Sequence, residues 1–305
     1  MSASPVVPKL SEASRTATAH LLLAESLVRA GRHREALTEV TRALHENPEL
    51  ALGHFLKGLA LMRMGDLEAA AAAIETSVAL DAEDARAWLA LGYIRFELNS
   101  LEAALRSVDE GLQRDPDHAG GHLLRSATLA GLDRKPEAAQ SCRHAIEANP
   151  AWALPRYRLG VLLDELGQSA EAFAAVVQAM RLNPTDFNTR IALGEMLERA
   201  GRLEEGLAEF RAAIDLEPTK VAGYLQLARV YRQHGQLSEA LTLMRTAVSI
   251  DNKSAANWRQ TADLLEALGR PEEAEQMRAT ADRLENPPEA APAASAPAAE
   301  SAEGK

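Results

Sequence analysis

Within residues 51–84, His54, the stem of Lys57, Gly58 and Leu61 fall three and four apart. That is the spacing of one helix face, so they read as the stripe turned to a core. A helix stop then recurs along the chain. Glycine precedes an acidic, alanine-containing stretch at Gly31, Gly65, Gly167, Gly201, Gly235 and Gly269, always 34 residues or a multiple of 34 apart. Asn99 and Asp133 fill the two vacant places, and after glycine these residue types best tolerate a left-handed backbone. The pattern predicts helix, tight turn, helix and break, eight times over, in units 17–50, 51–84, 85–118, 119–152, 153–186, 187–220, 221–254 and 255–288.

Three columns of small residues mark where paired helices must approach closely. The first reads Ala24, Gly58, Gly92, Ser126, Gly160, Gly194, Ala228, Ala262. The second runs from Ala36 through Ala70, Ala104, Ala138, Ala172, Gly206 and Ala240 to Ala274, and the third from Ala43 through Ser77 and Gly111 to Ala281. Proline follows the second helix at Pro48, Pro116, Pro150, Pro184 and Pro218, where a helix cannot continue. Asp84, Asp117, Thr185, Thr219 and Ser254 are the residues expected to cap the helices that follow.

With Trp88-x2-Leu91-Gly92, Ala104-x3-Val108 and Pro116 in the third unit, Leu159-Gly160, Ala172-x3-Val176 and Pro184 in the fifth, and Tyr224, Leu227 and Tyr231 in the seventh, the chain resembles the tetratricopeptide repeat (TPR) family over residues 17–288. The resemblance implies an all-α, right-handed α-solenoid whose concave groove binds an extended or helical protein segment. It implies a scaffold and no particular chemistry. Departures concern packing. The family's tryptophan column carries His20, His54, His122, Arg156 and Arg190 beside Trp88, Tyr224 and Trp258, and Arg278 and Asp282 make the last second helix polar, as expected of a capping repeat. Residues 1–16 read as a flexible lead-in and 289–305, rich in alanine, proline and glutamate, as a disordered tail.

Composition narrows the function classes. The chain has 305 residues, 47% hydrophobic but only 4% aromatic, so alanine and leucine dominate and favour helix. A net charge of −11 argues against phosphate-backbone binding. The single cysteine, Cys142, removes disulfide frameworks and cysteine-based zinc clusters, and it stands in a column otherwise filled by Val40, Ile74, Val108, Val176, Phe210 and Met244, which predicts a buried thiol. No apolar run is long enough to span a membrane and Met1–Arg15 lacks signal-peptide order, so the expected location is cytoplasmic. His118 and His122 have a spacing that could share a metal, but no third ligand is near, and carboxylates accompanied by arginines three or four residues away read as solvated faces. The expectation is a non-enzyme with no catalytic residue, cofactor or metal.

Candidate binding residues lie one position off the core stripe of the first helices: Leu52, Phe55, Leu59 and Met62; Leu89, Tyr93 and Phe96; Leu123; Tyr157 and Val161. The column containing Phe55, Leu89, Leu123 and Tyr157 is apolar almost throughout, which also suits repeat packing. Two neighbouring columns change from apolar in units 2–4 to charged in units 6–8, ending in Glu195, Arg229, Asp263 and in Glu198, Arg232, Glu266. Neighbouring repeats could neutralise these charges, or they could clamp a ligand. The lysine–asparagine set by which chaperone-binding TPR domains hold a carboxylate is missing from these columns. The reading is a protein-binding adaptor, with self-assembly, or service as the regulatory or assembly subunit of an enzyme or transport complex, as alternatives. An RNA-binding helical repeat would have a period of 35 and a basic array, and this chain has neither.

Overall fold

The computed structural model describes residues 12–286, which form an all-α helical-repeat solenoid with sixteen helices and no strand among those residues. The chain divides into two compact units, Met1–Pro184 and Thr185–Lys305. The first holds α1 (Glu12–Arg29), α2 (His33–Glu46), α3 (Ala51–Met64), α4 (Leu67–Leu80), α5 (Ala85–Glu97), α6 (Leu101–Arg114), α7 (Ala119–Gly131), α8 (Lys135–Ala148), α9 (Ala153–Glu165) and α10 (Ser169–Leu182). The second holds α11 (Phe187–Arg199), α12 (Leu203–Leu216), α13 (Val221–Gln233), α14 (Leu237–Ile250), α15 (Ala255–Ala267) and α16 (Pro271–Glu285). Within each unit, odd and even helices pair as hairpins, and each even helix packs on the next odd one.

Every hairpin turn takes the left-handed backbone that the sequence pattern requires. Gly65 has φ 88°, while Asn99 and Asp133 hold φ 56° and 57°. At Asn99 the turn closes with two hydrogen bonds, the Asn99 N–H donating to the Phe96 carbonyl (2.9 Å) and the Ser100 N–H to the Arg95 carbonyl (2.8 Å). These satisfy carbonyls that the end of α5 would otherwise leave bare. Beyond the turn, the small column sets how closely the two helices can approach. A Cβ on Gly92 would stand 2.5 Å from Val108 Cγ2. In the fourth hairpin Ser126 and Cys142 occupy the same two places, with Oγ and Sγ 3.0 Å apart.

Five residues of the tryptophan column share one role despite their different chemistry. In unit 1 the His54 Nε2–H donates to the Pro48 carbonyl (2.8 Å), the Trp88 indole N–H to Ala82 (2.9 Å) and the His122 Nε2–H to Pro116 (2.7 Å). In unit 2 the Tyr224 hydroxyl donates to Pro218 (3.0 Å) and the Trp258 indole N–H to Asn252 (2.9 Å). Each ring reaches the carbonyl six residues back and ties the break between hairpins to the helix that follows.

Several helix starts differ from expectation. Asp84 and Ser254 cap α5 and α15 as expected, but α7, α11 and α13 are preceded by His118, Asp186 and Lys220 rather than Asp117, Thr185 and Thr219. The 34-residue frame selects these positions whatever their residue type. His118 meets the demand with an imidazole lone pair, Nδ1 accepting from the Gly121 N–H at 2.8 Å. The Asp186 carboxylate accepts from the Thr189 N–H at 2.7 Å, whereas the Lys220 side chain makes no cap. At Asp84 burial works against the charge, yet the Arg86 guanidinium and backbone N–H groups hold the carboxyl below its ordinary range. Helix α1 begins at Glu12, inside the stretch expected to be a lead-in, and Ala17 is buried. The expected tail, 289–305, lies outside the described residues.

Two stability tests follow from these turns and tethers. No atom lies within 4 Å of the site a Cβ would take on Gly65, so Gly65→Ala meets only the cost of a left-handed L-residue. It should lower stability by about 1–2 kcal/mol, and Asn99→Gly should raise the melting temperature, both read from thermal melts. Tyr224→Phe removes one tether and should lower the unfolding free energy in urea by about 0.5–1.5 kcal/mol. An unchanged midpoint would show that the hydroxyl contributes nothing.

Candidate protein-binding face

In unit 1 the expected binding residues separate into three depths. Phe55 and Leu89 are buried. Leu89 fills the space vacated by Gly111, where a Cβ would stand 2.7 Å from its Cγ, and the Arg86 guanidinium lies 5.5 Å from the centre of the Phe55 ring. Both are core side chains, and Gly111 of the adjoining second helix leaves room for Leu89. Leu59 and Met62 are half-buried and pack on the same core. Leu123, Tyr157 and Val161 are also half-buried.

Two of these residues reach solvent, Leu52 at 40% and Tyr93 at 44% exposure. Burial first, and then the neighbouring Glu97 carboxylate, push the Tyr93 phenol above its ordinary range. One turn further along α5, half-buried Phe96 lines an open depression of about 400 Å³ with Glu97, Asn99, Leu101, Ala127 and Gly131. The depression has apolar walls and a polar lip supplied by the α5–α6 turn.

In unit 2 the charged columns are largely committed to each other. Arg229 grips Glu198 with both terminal nitrogens (2.6 and 3.1 Å), and its remaining donors reach Gln226 Oε1 (2.9 Å) and Gln233 Oε1 (3.0 Å). The pairing is diagonal, joining one column to the other across adjacent hairpins. Asp263 and Glu266 both pair with Arg278 of the same hairpin. Half-buried Glu195 lies one turn before Glu198. Exposed Arg232 points its charge at no carboxylate among the described residues and, with Arg229, Leu225, Gln226, Ala228, Met244, Gln260 and Leu264, lines a cleft of about 330 Å³. Gln226 and Gln260 were not singled out by sequence. Their column reads Leu22, Leu56, Ala90, Leu124, Arg158, Ala192, Gln226, Gln260, and its turn to amides in the last two hairpins is the available signal.

The candidate chemical groups have structural partners. The Cys142 thiol is buried, and burial raises its pKa, which removes the thiolate a nucleophile needs. His118 caps a helix and His122 tethers a loop, with the His122 and His144 rings 5.3 Å apart. Among the described residues no three ligating side chains gather around a common point, and no helix is long and apolar enough to cross a membrane.

Comparison with known proteins agrees with this architecture. One tetratricopeptide repeat model matches residues 21–63, 55–119 and 157–220, and a second matches 197–260. No curated protein matches the chain. Among solved structures, MamA is similar with TM-score 0.51 at 22% identity, over 54% of this chain and 96% of MamA. MamA 41-end from Desulfovibrio magneticus RS-1 gives 0.52 at 21%, over 56% and 96%. The APC/C hetero-tetramer Cut9–Hcn1 gives 0.60 at 17%, over 90% of this chain and 54% of that one. At these identities the likeness concerns fold alone. With the first model alone covering more than half of the residues, on the hairpins described above, the chain belongs to the tetratricopeptide repeat family.

Proposed function

We propose that this protein is a non-catalytic interaction scaffold whose first-helix face in unit 1 captures an extended or helical segment of another protein. The observation that carries the reading is the exposed Tyr93 ring, one turn from the Phe96-lined depression, on a face whose other members, Leu52 apart, are half-buried or buried by repeat packing. Such a surface is pre-organised, so a flexible segment that docks there bears most of the ordering cost alone. Aromatic anchors in a partly enclosed site are the residues expected to dominate affinity. Leu52, Leu59, Met62, Leu123, Tyr157 and Val161 would then add apolar contact around them. The charged residues of unit 2 fit a stabilising role better than a clamp, since Arg229 and Glu198 already satisfy one another.

The test begins with affinity capture on the full chain from its native cells, identification of the bound protein by mass spectrometry, and titration of that protein. Replacing Tyr93 and Phe96 together with serine should weaken binding by about 2–4 kcal/mol. Tyr93→Ser alone should shift the thermal melt little, because the residue is already 44% exposed. A double variant that stays folded and binds as before would move the partner to another surface. Tyr93→Ser unfolding easily would make the face part of the core.

A further inference from the structure

The odd helices of unit 1 present two surfaces to their neighbours, and on α1 one of them is open. In the later hairpins the second helix of the preceding hairpin covers this surface. A Cβ on Gly53 would stand 2.7 Å from Leu44 Cδ2, and one on Gly121 2.8 Å from Leu112 Cδ2. Leu56, Ala87, Leu91, Pro155 and Leu159 on the same surface are buried. The corresponding residues of α1 are Ala19, Leu22 and Leu23. Ala19 is exposed, Leu22 is 64% and Leu23 48% exposed, and no helix among the described residues lies over them. They are the most exposed large apolar side chains among the described residues.

The other end of the repeat series offers no match for this surface. On α16, Arg278 and Asp282 stand where the equivalent positions elsewhere are apolar, and Arg259 is bound to Asp282 (3.0 Å) and Glu285 (2.5 Å). Laying Leu22 and Leu23 on that network would strip water from charges without replacing their partners' solvation. A head-to-tail chain is therefore disfavoured.

The surface does match itself. Ala19-x-x-Leu22-Leu23-x-x-Ser26 reads small, large, large, small in either direction. Two copies of α1 laid antiparallel about a two-fold axis between Leu22 and Leu23 would set Leu22 of one against Leu23 of the other, with Ala19 against Ser26 on both flanks. In that register Arg15 falls opposite Ala30, Thr16 opposite Arg29, and His20 opposite Glu25, so no like charges meet. Self-complementarity of this kind is what a closed two-fold interface requires.

We propose that this protein self-associates head to head, two copies packing their α1 helices antiparallel through Leu22 and Leu23. The interface is one helix face, at the small end of specific interfaces, and so forms a weak, reversible dimer, half-formed at about 10–100 µM. It leaves the Tyr93–Phe96 face of each copy free and stands independently of the binding role proposed for that face.

Sedimentation velocity of the full chain from about 5 to 500 µM tests this over a range bracketing that midpoint. The weight-average sedimentation coefficient should rise toward that of a dimer. Leu22→Glu with Leu23→Glu should remain monomeric throughout and melt as the parent does, while Tyr93→Ser with Phe96→Ser should associate as the parent does. A parent that stays monomeric at the highest concentration, or a glutamate variant that still dimerises, overturns the proposal. The register has its own readout, which does not need the glutamate variant to fold. Oxidised Ala19→Cys with Ser26→Cys should give a covalent dimer, and neither single variant should. Single variants that cross-link as fast as the pair would refute the antiparallel arrangement.

Discussion

The structure depends on how closely two helices can approach. Each hairpin brings one small residue of its first helix against a bulky residue of its second, Gly58 against Ile74 and Gly92 against Val108 in unit 1, Gly194 against Phe210 in unit 2. At these three glycines even a Cβ would fall within 2.7 Å of the facing side chain, so a larger residue there would force the pair apart. The left-handed turn reverses the chain within a few residues, so the two columns stay in register. At five of the breaks between hairpins a ring donor then ties the break to the helix that follows. With only 4% aromatic residues, the core is made from this tight approach of small and aliphatic side chains rather than from large rings.

Sequence made the hairpin frame legible because its requirements are local. A positive φ asks for glycine, asparagine or aspartate, and a close crossing asks for glycine, alanine or serine. Both demands recur every 34 residues and can be read without knowing the fold. The helices begin one residue later than Asp117, Thr185 and Thr219 predict, because the repeat frame and not residue preference sets where each helix starts. His118 shows why residue preference misleads, since an imidazole lone pair accepts an N–H as a carboxylate does. The candidate face is less legible. Burial of Leu89 depends on Gly111, a residue of another helix, and that of Phe55 on the hairpin around it. The offset of one position that separates core from groove on a helical wheel corresponds to only about 100°, and a neighbouring hairpin can close that interval.

The charged columns teach a related point. Alternation of sign down each column suggested neutralisation between successive repeats, and adjacent hairpins do neutralise each other, but by the diagonal Glu198–Arg229 pair. The long arginine side chain reaches past its own column, and two glutamines occupy its remaining donors. Arg232, one turn on from Arg229, is left with its charge beside an apolar-floored cleft. Opposite signs at repeat spacing thus identify a network without identifying which members close it.

The tether of each ring to the carbonyl six residues behind it has a mechanical consequence. It lies wholly within the junction it secures, and helices within each unit touch only near neighbours in sequence. Load applied along the chain would therefore be met by one junction at a time rather than shared through a common core. Stretched from its ends, either unit should yield in steps, each freeing one 34-residue block and adding about 110–120 Å of extended chain. The protein is built to give way as a ratchet of separate clasps, with the remaining hairpins still folded on either side of the one that has opened.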